Sequence, residues 1–381
     1  MFRVFFYDCN VNQKITELPP YGLTYERRLN DSGSMTLKAR LHNGATRLAV
    51  APLMAYNGNF VKAYVDLDGV IVWSGLAWTS QYQLSAGELT IAGKEFPAWF
   101  DQRLQASDYS TAWLPSVDPA AMMLQAMHDA QTAATDLTGA PLPGQNLGLQ
   151  FTGGTSSLPA VHPGYRISQH TTVATIINDV ITMSEPGVAA LEYTSDSVWG
   201  EDGFPQDFIH IWSPRAGRQG VINDAVIDLD AAIDYTWQFD PTQSGYRVVA
   251  TGVGSGATLP IAEAFSTDPV GVLGSGPLTE KALTFNSVAE GSMMGPLAAG
   301  GAVQYGRPVQ TPTVTLPLFD GAGLYAPSYY SLGDDVLVRS NPCDLFPQGL
   351  DTYRRIVGDQ VTVNSEGVST VQLTLNDALD F

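Results

Sequence analysis

"YGLTYERRLNDSGSMTLKARL", Tyr21 to Leu41, decides how the chain is read. From Ser34 the side chains alternate strictly. Met35, Leu37, Ala39 and Leu41 fall on one face, and Ser34, Thr36, Lys38 and Arg40 on the other. A period of two marks a half-buried strand. Leu23, Tyr25 and Arg27 share a face in the segment before it, with looser alternation. Between the two lies "NDSG", Asn30–Gly33. Asn and Asp bond their own backbone and Gly accepts positive φ, so this is a turn. The stretch is a β-hairpin and carries no reactive grouping.

The same grammar extends on both sides. "MFRVFFYD" opens the chain as an apolar, aromatic strand, and "KAYVDLDGVIVWSGLAWTSQYQLSAGELTIAGKEF" adds further strands with short turns. Six or seven consecutive strands suit a small barrel or sandwich. From Pro97 the period changes. "PAWFDQRL" predicts a short helix. "VDPAAMMLQAMHDAQTAA" predicts a longer one, with Asp118 as N-cap and Pro119 at its first position. Val173, Ile176, Ile177, Val180 and Ile181 form the clearest helical stripe of the chain. "AALEYTSD" and "DFIHIWSP" read as strands. "DYTWQFDPTQSGYRVVATG" reads as a hairpin and "TEKALTFNSVAEG" as a helix. "TVTLPL", "DDVLVRS" and "YRRIVGDQVTVNSEGVSTVQLTL" return to strands. The expected organisation is an N-terminal β-barrel over 1–105, completed by strands within 221–252. An α+β domain follows over 106–220, then a mixed segment over 221–311 and a C-terminal barrel-like domain over 312–381.

Composition narrows the function classes. The 381 residues carry 38 acidic and 19 basic side chains, a formal net charge of −19. Such a surface repels phosphate, which excludes duplex binding through a basic patch. Gly 37 and Pro 24 fit a turn-rich β chain. Five Lys beside fourteen Arg, with abundant Ala, suggest a GC-rich genome. Cys9 and Cys343 lie near opposite ends without CxxC or metal-ligand spacing. They read as two reduced thiols, with a disulfide between them as the alternative. The N-terminus is not a signal peptide, and no run of 18 apolar residues predicts a membrane span.

No catalytic, cofactor or metal motif emerges. "TGVGSGAT", Thr251–Thr258, lacks both the third-glycine spacing of a dinucleotide loop and a following Lys-Ser/Thr, so it reads as a turn. His42, His128, His162, His170 and His210 form no helical ligand pair. His162 and His170 flank "PGYRISQ" without a third ligand. The acidic clusters Asp66–Gly69, Asp228–Asp234 and Gly333–Asp335 lack the calcium-loop pattern and read as turns and solvated faces. There is no G-x-S-x-G elbow, and no carboxylate pair stands out among the 38 acids. The expectation is a protein without enzymatic activity. Seven Trp and sixteen Tyr supply the rings for the alternative, a receptor- or carbohydrate-binding protein stacking sugars on Trp113 or Trp199.

Taken in order, "YERRLNDSGSMTLKARL", "TTVATIINDVI", "DYTWQFDPTQSGYRVVATGVGSG" and "GDDVLVRSN…YRRIVGDQVTVNSEGVSTVQLTL" resemble minor tail proteins of long-tailed, non-contractile phages. Most closely they resemble the distal tail hub, or baseplate hub, family. The resemblance covers most of the chain, and the GC-rich bias suits phages of actinobacteria. It implies a mainly β fold with α+β insertions, with tube-like β-barrel domains that are pseudo-sixfold in a trimer. It implies a homotrimeric hub at the distal tail tip, made in the host cytoplasm and built into the virion. Such a hub adapts the sixfold tail tube to threefold tip or fibre proteins. The implied partners are the distal tail protein or tail tube, the C-terminus of the tape measure protein, and downstream tip or fibre proteins. Genome DNA passes through without specific binding. An acidic lumen suits that passage, because positive charge would hold the phosphates. The long Gly/Pro-rich loop Thr138–Tyr165 is expected to order against a neighbour. With the last strand pair so close to Phe381, a lytic activity is expected on another protein.

Overall fold

The computed structural model describes residues 1–41, 44–54, 61–83, 85–110, 117–133, 135, 138–142, 144, 146–158, 160, 164–182, 191–219, 226–240, 242, 244–254, 259–266, 279–285, 288, 293–306, 309–318 and 329–377. The N-terminal strands are β1 (Phe2–Asp8), β2 (Lys14–Leu18), β3 (Gly22–Arg28), β4 (Ser34–Arg40), β5 (Val61–Leu67), β6 (Val70–Gln83) and β7 (Glu88–Glu95). Helix α1 (Gly44–Met54) lies between β4 and β5. A 3-10 turn over Phe96–Gln102 leads into β8 (Tyr109–Ser110), α2 (Pro119–Thr132), β9 (Gln150–Thr152), β10 (Gly164–Tyr165), α3 (Val173–Thr182), β11 (Glu192–Trp199) and β12 (Pro205–Trp212). The remainder is β13 (Val226–Asp228), β14 (Asp234–Thr236), β15 (Phe239–Asp240), β16 (Arg247–Thr251), β17 (Ile261–Phe265), β18 (Glu280–Thr284), α4 (Met294–Tyr305), β19 (Val309–Gln310), β20 (Thr313–Pro317), β21 (Asp335–Ser340), β22 (Leu350–Val363) and β23 (Ser369–Asp377).

The opening hairpin is β3–β4, paired Leu23↔Leu37 and Tyr25↔Met35. Met35, Leu37 and Ala39 are buried and the residues between them are exposed, as alternation requires. Asn30 takes the left-handed conformation of the turn at φ 60°. Gly33 is needed for a different reason from the one its turn motif suggests. A Cβ there would meet the Glu26 carbonyl oxygen at 1.8 Å, so the backbone itself fills the space of a side chain.

One 13-stranded sheet joins both ends of the chain, in the order β14-β20-β23-β22-β3-β4-β7-β6-β5-β1-β2, with β21 and β13 attached beside β22. β22 is the hinge of this arrangement. Its first half pairs with β21 (Asp335↔Arg355 to Ser340↔Leu350) and its second half with β3 (Gly358↔Arg28 to Val363↔Leu23). β23 runs along its other side. The strand beside β3 therefore comes from 350–363 and not from 221–252. Of that segment, β13 attaches to β21 and β14 to β20.

Two apolar cores flank the sheet. β1 shows why: Val4 and Phe6 enter one core, Phe5 and Tyr7 the other. A strand covered on both faces reads as an unbroken apolar run. The first core gathers N- and C-terminal strands, among them Tyr25, Leu37, Trp73, Val338 and Val361. The second packs Tyr64 and Leu76 against α2, α3, α4 and the inner face of β11–β12. Each such fully buried large apolar side chain contributes about 1.5–3 kcal/mol.

Several local readings are corrected. "DYTWQFDPTQSGYRVVATG" is no hairpin: β14 pairs with β20, β15 with β19, and β16 with β17 and β18. Glu280–Thr284, read as helix, is a strand because parallel pairing to β16 captures it. Phe96–Gln102 is helical in the tighter 3-10 form. Part of the loop from Thr138 is anchored on its own chain. Leu147, Leu149 and Leu158 are buried in the second core, and the Gln131 side chain bonds both backbone groups of Leu149. Among the described residues, no helix is long and apolar enough to cross a membrane.

Candidate functional site

The most constrained chemistry of the molecule lies where the α+β segment meets the sheet. Lys62 on β5 donates to Asp207 on β12 at 2.7 Å, with both side chains almost fully buried. Tyr64 and Ser197 also donate to Asp207, at 3.1 and 2.6 Å, and the Ser74 hydroxyl meets that of Ser197 at 2.8 Å, where Ser197 is left to accept. Arg355 forks onto Glu192 with two 2.6 Å bonds and donates also to the carbonyls of Gly333 and Ala216. Arg215 pairs with Asp335 and Arg218 with Asp334. Arg27 pairs with Asp359, which also accepts from Tyr330 at 2.7 Å. These pairs join β5 to β12, β11 to β22, the segment after β12 to the start of β21 and the residue before it, and β3 to β22. Each ties residues far apart in sequence.

That finding corrects the reading of the acidic clusters as solvated. Asp334 and Asp335 of "GDD" are 0% and 4% exposed and each meets an arginine. Asp66 of "DLDG" is fully buried, pairs with Arg3 and accepts the Trp199 indole N–H at 2.9 Å. Only "DLDAAID" keeps the expected character: Asp228 caps a 3-10 turn and Asp230 accepts from Asn341. Buried carboxylates need such partners, because an unpaired charge in a core costs several kcal/mol. The sequence holds no local signal for them, since each partner arrives from another element.

Other flagged residues disperse. Trp199 packs edge-on to Phe5 at 5.3 Å and joins the second core. Trp113, His42 and His162 lie outside the described residues, as do residues 255–258 of the Gly-rich stretch. His170 occupies the left-handed region at φ 52°, and His128 lies exposed on α2 beside Asp129. Neither Cys9 nor Cys343 is in a disulfide. Cys9 lines a cleft of about 360 Å³ with Lys62 and Asp207. Burial pushes its thiol up to about 11, which leaves little thiolate at neutral pH. Among the described residues, no three His, Cys, Asp or Glu side chains converge as metal ligands.

Sequence reasoning passed over the outward face of the small sheet β11-β12-β9. There Phe208, His210 and Trp212 stand in a row along β12. The first two rings are parallel within 10° at 5.7 Å, and the next lies 5.6 Å further on. His210 hydrogen-bonds Thr152 at 2.6 Å and Asp196 at 3.0 Å. The Trp212 indole N–H donates to Thr194 at 2.9 Å. Trp212 also walls a cleft of about 370 Å³ that reaches Arg27, Arg218 and Asp334.

No protein-family model matches the sequence, and no curated relative does. Solved structures do match. A tail protein from Neisseria meningitidis MC58 aligns over 99% of this chain and 96% of its own, at 12% identity and a TM-score of 0.54. The 43 kDa tail protein of prophage MuSo2 from Shewanella oneidensis aligns over 99% and 100%, at 12% identity and 0.55. The prophage tail protein gp18 from Listeria monocytogenes EGD-e aligns over 99% and 95%, at 12% identity and 0.50. From one end to the other, this chain is similar in fold to proteins solved as tail proteins, two of them of prophages.

Proposed function

We propose that this chain is a structural virion protein: a homotrimeric hub at the distal tip of a long-tailed, non-contractile phage tail. It would adapt the sixfold tail tube to threefold tip or fibre proteins and surround the DNA exit channel. The observation that carries this reading is a fold shared along 99% of the chain with three tail proteins, each covered over 95% or more of its own length. A function lodged in one grafted domain would match over part of the chain only. The ion-pair seam supports it too: the paired charges lock elements together, a use that serves a rigid building block. In this reading each protomer closes tube-like barrels, and three protomers make a pseudo-sixfold ring.

The proposed neighbours are the distal tail protein or tube above, the tape measure C-terminus within, and tip or fibre proteins below. The net charge of −19 supports a channel that genome DNA crosses without sticking. The Arg-over-Lys bias supports an actinobacterial host, and the chain is proposed to have no enzymatic activity. Cryo-electron microscopy of the intact tail end tests the whole reading. It should place three copies on the axis around an acid-lined channel. Copies off the axis, or a bore lined with arginines, would overturn it. Incubation of the purified chain with host cell-wall polymer should release no fragments.

A further inference from the structure

We propose that the Phe208–His210–Trp212 row and the cleft at its end form a binding site for an uncharged oligosaccharide. The proposal stands apart from the structural role above, since a tail component can carry such a site wherever it sits. Three observations converge on it. The rings lie on one face of β12 at successive outward positions, with Trp212 40% exposed. Their spacing of 5.7 and 5.6 Å is comparable to the advance of one pyranose unit along a glycan. Sugars present a C–H face to aromatic rings and hydroxyls around their rim, so a row of rings edged by polar groups matches both.

The second observation is that the rings are held in place. Thr152 and Asp196 bond the two nitrogens of His210, and Thr194 holds the Trp212 indole. A platform fixed before binding loses little side-chain freedom when a ligand arrives. The third is charge. In the cleft, Arg27 is paired with Asp359 and Arg218 with Asp334, while the Asp196 side chain is 57% exposed. With both lining arginines already committed to carboxylates and Asp196 beside them, the described lining disfavours a phosphorylated or carboxylated polymer and favours hydroxyl donors. A protein partner is a poorer fit. A stable protein interface covers about 800 Å² per side with an apolar centre, whereas this patch is three rings rimmed by hydrogen-bonded polar side chains.

The test uses the full chain labelled with ¹⁵N at its tryptophans. Trisaccharides of β-linked glucose, N-acetylglucosamine and galactose are titrated, with the Trp212 indole resonance identified by Trp212→Phe. At least one probe should shift that resonance saturably. In calorimetry the same probe should bind Trp212→Ala at least tenfold more weakly, and Trp212→Phe within about threefold of the native chain. Phe208→Ala, a change at the opposite end of the row, gives an independent loss if Trp212→Ala does not fold. The proposal is overturned if no probe moves the Trp212 signal at 5 mM, or if folded Trp212→Ala binds as well as the native chain. It is equally overturned if a photo-crosslinker replacing Phe208 captures a neighbouring tail protein in assembled particles while no sugar binds.

Discussion

Single residues separate what the sequence states from what only three dimensions supply. The turn at Asn30–Gly33 was legible because Asn, Asp and Gly act on their own backbone. The reason Gly33 admits no other residue was not, since the obstructing Glu26 carbonyl belongs to the facing strand. Gly33→Ala should destabilise the chain by about 3 kcal/mol, as overpacking against backbone does, measured by urea unfolding. The buried ion pairs were illegible for the same reason: Glu192 and Arg355 are 163 positions apart. Arg355→Met should cost about 3–5 kcal/mol in the same assay, because it leaves the Glu192 carboxylate buried without its cation. Asp179 offers a pH test. It is buried on α3, where it accepts from Tyr165 at 3.0 Å. Burial raises its carboxyl from 3.8 to about 7. A raised folded-state pKa means that the folded chain holds the proton more tightly than the unfolded one. The contribution is complete below about pH 4 and is lost as pH rises towards 7. Melting temperatures of Asp179→Asn should lack that decline, so the variant gains on the native chain between pH 4 and 8.

At the scale of elements, local periodicity did well wherever one segment decides its own state. Helix α2 begins where its N-cap was read: Asp118 accepts from Ala120 N–H at 2.8 Å. It also accepts twice from Ser156, tying the following loop to the helix start. Asp118→Ala should therefore cost about 1–2 kcal/mol, at the upper end for a cap. The loss should appear as faster hydrogen exchange in both the first turn of α2 and the backbone around Ser156. The helical stripe of α3 and the strands β20 to β23 followed their patterns equally well. Failures came where partners decide. "TEKALT" has good helix formers, yet Lys281 and Leu283 turn towards α4 while Glu280 and Ala282 stay exposed, the alternation of a strand. Strand preference reflects the surface against which a segment packs, and that surface is distant in sequence. The ring row on β12 escaped notice because "DFIHIW" shows alternation but not which face remains open.

For the whole molecule, the decisive contact is β3 against β22. It was invisible to a reading in chain order, because register between strands more than 300 residues apart has no local mark. The consequence for fragments is testable. Residues 1–105 expressed alone should collect in the pellet, since β3 then presents an open edge and the first core loses Val338, Val361 and Leu373. Co-expression with residues 312–377 should return part of it to the supernatant, read by sedimentation and circular dichroism. The same contact governs birth on the ribosome. The first hairpins emerge long before Gly358–Val363 is synthesised, and at about 5–20 residues per second the wait is on the order of tens of seconds. Through that interval the nascent polypeptide carries an unzipped margin and a half-roofed apolar floor, so a holdase that shields it until translation finishes should govern how much of the protein survives.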